Sequence, residues 1–161
     1  MSYESAAKAV VEWNKKAGVK NEVPFTPDWW RACELQGKLL VEEAQEALEG
    51  ATYSDKQELL DGCVDTFVIL SKFLDMLEFA GFDVLGALEA IQANNDLKIY
   101  KTMVQALEVK DKLEEVKDES FYVAASVYQG EDYFTVRRAD GKIAKAIDFP
   151  KVDLNDFIPK G

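Results

Sequence analysis

Histidine is absent from this 161-residue sequence. Its absence excludes Ser-His-Asp and Cys-His catalytic sites and every zinc site with a histidine ligand. Basic residues are scarce as well: 19 Lys and Arg stand against 30 Asp and Glu, for a net charge of −11. Because this charge repels a phosphodiester backbone, we expect no nucleic acid polymer as a partner. A bound metal must be held by oxygen atoms, which favours magnesium, manganese or calcium.

Cysteines and long apolar runs are also few. The two cysteines, Cys33 and Cys63, lie in apolar helical patterns and form no Cys-x-x-Cys motif, which predicts reduced, buried thiols in a cytoplasmic protein. No stretch approaches about 18 uninterrupted apolar residues, and the first residues lack the apolar run of a signal peptide. We therefore expect a cytoplasmic protein with no membrane partner. The hydrophobic fraction of 48% is sufficient for a folded core.

Capping residues divide the first two thirds of the chain into four predicted helices. Gly50 stands where helices commonly end, and Ser54 with Gln57 has the form of a capping box. Thr26-Pro27-Asp28 supplies an N-cap followed by a proline in the first turn. The predicted helices are residues 5–16, 27–49 and 54–79, and a fourth that Asp83 caps and that continues to Leu107 or Val116.

The pattern changes after about residue 118. The segment YFTVRRADGKIAKAIDF alternates around Asp140-Gly141, which predicts a β-hairpin with its turn at that dipeptide. The last residues, DLNDFIPKG, are typical of one helical turn and a tail. The predicted fold is therefore mostly α, with a four-helix core over residues 1–117 and a small C-terminal β-hairpin appendage over 118–161.

An acidic run on the second helix has an unusual orientation. At about 100° per residue, Glu43 and Glu46 fall within the apolar half of the helix, Glu42 lies at its edge and Glu49 lies opposite. Acidic runs on helices usually form a solvated face, and a solvated face is one interpretation of this run. A buried carboxylate must instead be neutralised, paired or bound to metal.

The third predicted helix is apolar almost all round, which is typical of a central helix. Glu58, Asp61 and Asp65 nevertheless form one stripe on it at i, i+3 and i+7. Lys72 continues the stripe and is expected either to pair with Asp65 or to lie exposed at the helix edge. If the acidic faces of the two helices meet, several carboxylates converge. They cannot all stay ionised without cations, and such a group of carboxylates is typical of a magnesium site.

These motifs together resemble a known family. The motif EExxE begins at Glu42, ExxD begins at Glu58, and Asp65 follows. GFDVLGALEAIQANNDLK then contains an N-x-x-K motif formed by Asn95 and Lys98. The set is similar to the MazG-like all-α nucleoside triphosphate pyrophosphohydrolases, a superfamily that includes phosphoribosyl-ATP pyrophosphohydrolase and the dimeric dUTPases. The tail VRRADGKIAKAIDFPKVDL resembles the appendage of some members, so the likeness covers nearly the whole chain.

The resemblance implies that residues 1–117 are a catalytic domain in which Glu43 and Glu46 bind a divalent metal. An acidic pair on the next helix completes such a site. Two registers compete for that pair, Glu58 with Asp61 or Asp61 with Asp65. We prefer the second, because VDTF around Asp65 resembles the apolar-Asp-apolar step of the family, while Glu58 in the first helical turn can simply favour the helix dipole.

The resemblance also implies substrate contacts at Asn95 and Lys98, with the Lys98 ammonium set against a phosphate. A polar surface patch is the alternative for these two residues. Lys101 or the Arg137-Arg138 pair could add positive charge.

The expected activity is magnesium-dependent hydrolysis of a (d)NTP to the (d)NMP and pyrophosphate, with manganese as a substitute. Glu42 or Glu58 would accept the proton of the attacking water. The family implies a homodimer or homotetramer. Alternatives within the family are a base-specific dUTPase or dCTPase and phosphoribosyl-ATP pyrophosphohydrolase. Outside it are a catalytically silent metal-binding interaction module and a calcium-binding protein, although no EF-hand loop is present.

Overall fold

The computed structural model describes residues 1–160 and is mostly helical, with one small antiparallel sheet, as the sequence predicts. Within this range, no helix is long and apolar enough to cross a membrane. In chain order the elements are α1 (Tyr3–Lys16), α2 (Pro27–Tyr53), α3 (Lys56–Phe79), α4 (Val84–Asp96), α5 (Met103–Val116), β1 (Phe121–Tyr128), β2 (Glu131–Arg138) and a 3-10 turn (Asn155–Phe157). The 3-10 turn lies in the segment where one helical turn is predicted.

The chain divides into two compact units. The first comprises Met1–Val84 and the C-terminal residues from Phe157, and the second comprises Leu85–Asp156. In the first unit α2 packs against α3 and α1 packs against α3, so a four-helix core is not confirmed. In the second unit α5 packs on both strands. The functional boundary at 117/118 stays a prediction.

Two glycines bring α2 and α3 into unusually close contact. A Cβ atom on Gly50 would lie 2.3 Å from the backbone nitrogen of Leu59, and one on Gly62 would lie 2.5 Å from that of Ala47. Both distances are too short for any side chain, so the two backbones can approach this closely only at glycine. The expectation that Gly50 ends α2 is therefore wrong. The helix continues to Tyr53 with Gly50 buried inside it.

The junction between α2 and α3 is built differently from the predicted capping box. Ser54 has a left-handed backbone conformation (φ 59°) and ends α2. Asp55 caps α3, since its Oδ1 accepts hydrogen bonds from the backbone nitrogens of Gln57 and Glu58. The Ser54–Gln57 box is wrong because the chain needs Ser54 for the turn between the helices.

Lys72 of α3 is buried. It neither pairs with Asp65 nor lies exposed at the helix edge, so both predictions for it are wrong. Its Nζ donates to Oδ1 of Asn21 at 2.5 Å and forms a salt bridge with Asp75 at 3.1 Å. These two partners satisfy the buried ammonium locally. Asp65 is consequently left without this cation.

Both cysteines are free, as predicted, but only one is shielded. Cys33 is half-buried, and this burial raises the pKa of its thiol. Cys63 is exposed, so its predicted burial is wrong. The reason is that the apolar surface of α3 around Cys63 is not covered within this chain.

The predicted long fourth helix is broken into α4 and α5. Thr102 begins α5 with a capping box in which its Oγ1 accepts from the Gln105 backbone and the Gln105 side chain accepts from the Thr102 backbone. Just before it, Tyr100 and Phe134 of β2 exchange backbone hydrogen bonds of 2.8 and 2.9 Å. This pairing requires an extended chain, so the helix cannot continue through Tyr100.

The β-hairpin exists but its turn is not at Asp140-Gly141. The strands pair from Phe121 with Arg138 to Tyr128 with Glu131. The turn is Gln129-Gly130, whose positive φ values of 51° and 82° suit a two-residue hairpin turn. The chain reverses a second time at Asp140-Gly141, where a single antiparallel β-bridge joins Arg137 and Ile143. The hairpin packs on α5 around a small core of Ala106, Leu113, Phe121, Val136 and Ala144.

Replacing Gly62 with valine tests the close approach of α2 and α3. The new side chain would collide with the Ala47 backbone, and overpacking of this kind costs about 1–3 kcal/mol. We expect a melting temperature lower by several degrees in thermal unfolding followed by circular dichroism. Gly37→Ala is the matched control, because a Cβ there meets nothing within 4 Å. It should be neutral or stabilising by up to about 1 kcal/mol. Equal stability of the two variants would contradict the packing described here.

Candidate functional site

The glutamates of α2 are oriented as the helical period predicts. Glu43 and Glu46 are half-buried, whereas Glu42 and Glu49 are exposed. The orientation follows from the α3-facing stripe of α2, which also contains Ala47 and the buried Gly50. The side chains of Glu43 and Glu46 are thus directed toward the neighbouring helix rather than into open solvent.

Glu58, Asp61 and Asp65 of α3 are all exposed, but they differ in position along the helix. Asp61 precedes Gly62, and a Cβ on Gly62 would lie only 2.9 Å from the carbonyl oxygen of Glu43. This contact places Asp61 level with Glu43 across the helix pair. Glu58 lies in the first turn of α3, next to the cap formed by Asp55.

Electrostatics show which carboxylates come together. The pKa of Glu43 is raised, first by burial and then by the negative charges of Glu46, Asp65, Glu42 and Asp61. Carboxylates from both helices therefore act on the same side chain. Glu58 is not among the carboxylates that raise the pKa of Glu43, and the choice between the two registers stays a prediction. The roles of all these residues in binding or catalysis stay predictions.

The donor set fits a hard divalent cation. It consists of carboxylate oxygens alone, from Glu43 and Glu46 on one helix and Asp61 and Asp65 on the other, which is the chemistry that Mg²⁺ and Mn²⁺ prefer. Among the described residues, no group of three acidic or cysteine side chains is already arranged to hold an ion.

Asn95 and Lys98 contact each other in the second unit. Asn95 lies in the last turn of α4, and Lys98 follows the end of that helix, so the two do not lie in one helix, although the predicted fourth helix contains both. The Lys98 backbone nitrogen donates to the Asn95 carbonyl at 3.0 Å, and the Lys98 ammonium donates to Oδ1 of Asn95. The pair is therefore held together by a turn.

The other basic residues considered from the sequence are already engaged. The Lys101 ammonium pairs with Glu131 at 2.8 Å and lies 4.1 Å from the centre of the Tyr133 ring. Arg138 pairs with Asp140 at 3.2 Å, and Nε of Arg137 donates to Thr135. These side chains are poor candidates for substrate contacts because each would first have to leave its partner.

Two residues near Lys98 were not singled out by the sequence. The Lys98 and Lys145 ammonium groups each lie 5.5 Å from the centre of the Phe149 ring. The available signal was the basic and aromatic interleaving of AKAIDFPK. It is too short and too common a pattern to indicate a site without the structure.

The chain matches no protein-family model, and searches among curated proteins and solved structures find no significant similarity.

The raised pKa of Glu43 makes the stability of the metal-free protein depend on pH. The folded chain binds this proton more tightly than the unfolded chain, whose carboxyl titrates near the ordinary value of 4.5. The free energy of unfolding therefore falls as pH rises from that value through the raised pKa. In EDTA, we expect Glu43→Gln to melt at a higher temperature than the parent near pH 7, with the difference vanishing near pH 4. Thermal melts across this range measure it.

Glu49→Gln is the control for this measurement, since Glu49 is exposed on the opposite side of α2. Its melting temperature should match that of the parent closely at every pH. A parent that is more stable than Glu43→Gln at neutral pH without metal would show that the carboxylates of α2 and α3 do not repel one another.

Proposed function

We propose that this chain is a metal-dependent nucleoside triphosphate pyrophosphohydrolase that converts a (d)NTP and water into the (d)NMP and pyrophosphate. The observation that carries the proposal is the close packing of α2 on α3 beside Glu43, where a Cβ on Gly62 would lie 2.9 Å from the Glu43 carbonyl oxygen. There, burial and the charges of carboxylates from both helices raise the pKa of Glu43. A group of like charges held on two closely packed helices is costly unless a cation is bound. A MazG-like four-helix core is part of the same proposal, and the packing of α1 and α2 against α3 in the first unit supports it.

The proposed reaction needs few groups. When bound by Glu43, Glu46, Asp61 and Asp65, the divalent cation supplies neutralisation of the triphosphate charge and acidification of the attacking water. The water oxygen forms a bond to the α-phosphorus, and the bond from that phosphorus to the α–β bridging oxygen breaks. The pyrophosphate leaves with the electron pair of the broken bond.

The proton of the attacking water passes to a glutamate that holds no metal. Glu42 and Glu58 are the two candidates, and both are exposed to solvent, from which the water comes. Asn95 and Lys98 belong to the second unit, and their contact with the substrate stays a prediction. Fixed helices suit this chemistry, because its barrier is lowered mainly by positioning and charge stabilisation.

Assays with single nucleotides test the reaction itself. We expect one or more of the eight common (d)NTPs or dUTP to give monophosphate and pyrophosphate with Mg²⁺ or Mn²⁺, as resolved by chromatography. The rate ranking would distinguish a general enzyme from a dUTPase or dCTPase. Diphosphate and orthophosphate as products would contradict the proposed bond cleavage. Thermal stabilisation by metal without turnover of any nucleotide would favour the catalytically silent module.

Charge-removing substitutions test the site. Glu46→Gln and Asp65→Asn each remove a proposed metal ligand with little change of shape, so we expect hydrolysis to fall by at least about 100-fold. The fold should be kept, as judged by circular dichroism. Glu49→Gln is the matched control on the exposed side of α2 and should stay within about twofold of the parent. Equal losses in all three variants would refute the assignment.

We further propose a homodimer or homotetramer. Val41 and Leu48, at i and i+7 on α2, are 70% and 58% exposed, and Leu60 and Val64, at i and i+4 on α3, are 66% and 50% exposed. Such runs of exposed apolar side chains on the two central helices are unusual in a monomer. A second copy of the chain is the occupant proposed, because a two-fold interface buries the same patch on both subunits.

Light scattering coupled to size exclusion measures this assembly. We expect twice or four times the mass of one chain at micromolar concentration. The double variant Val41→Gln, Leu48→Gln should shift the mass toward the monomer. Val127→Gln is the control, because Val127 is 71% exposed in the hairpin and should leave the mass unchanged. A monomeric parent at this concentration would contradict the proposal.

A further inference from the structure

Phe149 lies between two lysines in the second unit. The Lys98 and Lys145 ammonium groups are both 5.5 Å from the centre of the Phe149 ring, so the two charges are within 11 Å of each other. Lys98 comes from the turn after α4, and Lys145 and Phe149 come from the segment that follows the second turn of the sheet. The fold thus brings Lys98 to the ring, whereas Lys145 and Phe149 are only four residues apart in the sequence.

Neither lysine has a carboxylate partner. Among the described residues, no acidic oxygen lies within 4.0 Å of Lys98 or Lys145. The nearby Lys101, by contrast, is neutralised by Glu131 at 2.8 Å. The Lys98 ammonium donates to Asn95 but has no counter-ion within 4.0 Å in residues 1–160, and neither does Lys145, so a bound anion would supply the opposite charge that both lack.

The segment that contains Phe149 is held in place. The Asn94 side chain donates a hydrogen bond of 3.0 Å to the Pro150 carbonyl, and the Phe149 backbone nitrogen donates to the Ala146 carbonyl at 3.2 Å. Phe149 is half-buried, so part of its ring remains accessible. The ring is therefore positioned before any ligand binds, which lowers the entropy that binding must overcome.

We propose that Phe149, Lys98 and Lys145 bind a nucleoside phosphate, with its base stacked on Phe149 and its phosphates paired with the lysines. An anion alone would use the two charges but not the ring, and an aromatic compound alone would use the ring but not the charges. A base contacting the ring displaces one ammonium from its face, and that ammonium then pairs with phosphate. Stacking of a base on an aromatic side chain is tolerant of base identity.

This inference rests on the proposed function for its choice of ligand, and it assigns the base contact to Phe149 and the phosphate contacts to Lys98 and Lys145 within the second unit. Calorimetric titration in EDTA tests it apart from catalysis, with each dNTP, dUTP and inorganic tripolyphosphate as separate probes. In Phe149→Leu we expect nucleotide affinity to fall by about five- to 100-fold, with tripolyphosphate affinity unchanged. Phe149→Tyr keeps the ring and should restore nucleotide binding. Lys145→Gln should weaken both kinds of probe by at least about threefold.

Lys151→Gln is the matched control, since Lys151 is an exposed lysine of the same segment. It should bind every probe as the parent does. The inference is overturned if the parent binds no nucleotide, or if Phe149→Leu and Lys145→Gln bind nucleotides as the parent does. It is also overturned if Phe149→Leu lowers the affinity for tripolyphosphate as much as the affinity for nucleotides. Circular dichroism melts establish that each variant is folded.

The two proposals fail in different ways. Nucleotide binding that depends on Phe149 and Lys145, without hydrolysis under any metal condition, would remove the proposed function and leave the inference standing. Hydrolysis with an unchanged KM in Phe149→Leu and Lys145→Gln would remove the inference and leave the proposed function standing.

Discussion

The close approach of α2 and α3 at Gly50 and Gly62 is the constraint on which the candidate site depends. A side chain at either position would overlap the opposing backbone, so the two helices would separate. Because Gly62 contacts the turn of α2 that contains Glu43 and Ala47, the same contact fixes which carboxylates meet. The raised pKa of Glu43 is the electrostatic consequence of this packing. A proposed cation site thus follows from two residues that have no side chain.

The distribution of charge agrees with this account. Lys72, the buried ammonium nearest to the acidic stripe of α3, is already paired with Asp75 and Asn21. It therefore leaves the charge of Asp61 and Asp65 uncompensated. Proteins that retain several close carboxylates without a basic partner commonly use them for cations or proton transfer. A chain whose net charge repels a free triphosphate accepts it more readily when a divalent cation accompanies the phosphates.

The helical period of the apolar residues was enough to predict the orientation of the α2 glutamates, since burial along one helix repeats with the helical turn. It was not enough for Gly50, because a glycine that ends a helix and one that allows close packing look identical in sequence. The break before α5 depends on Tyr100 pairing with Phe134, a contact made across 34 positions of the chain. Likewise, Lys98 meets Phe149 only through the fold, so no local pattern could have revealed that pair.

The two proposals assign different tasks to different parts of the chain. The carboxylates of α2 and α3 would hold the cation that the proposed reaction needs for charge neutralisation and for an activated water. None of them distinguishes one base from another. A half-buried aromatic ring flanked by Lys98 and Lys145, in the second unit, is the group that we propose for the base. Since stacking on an aromatic ring tolerates every base, this proposal implies nucleotide binding of broad range rather than selection of one base.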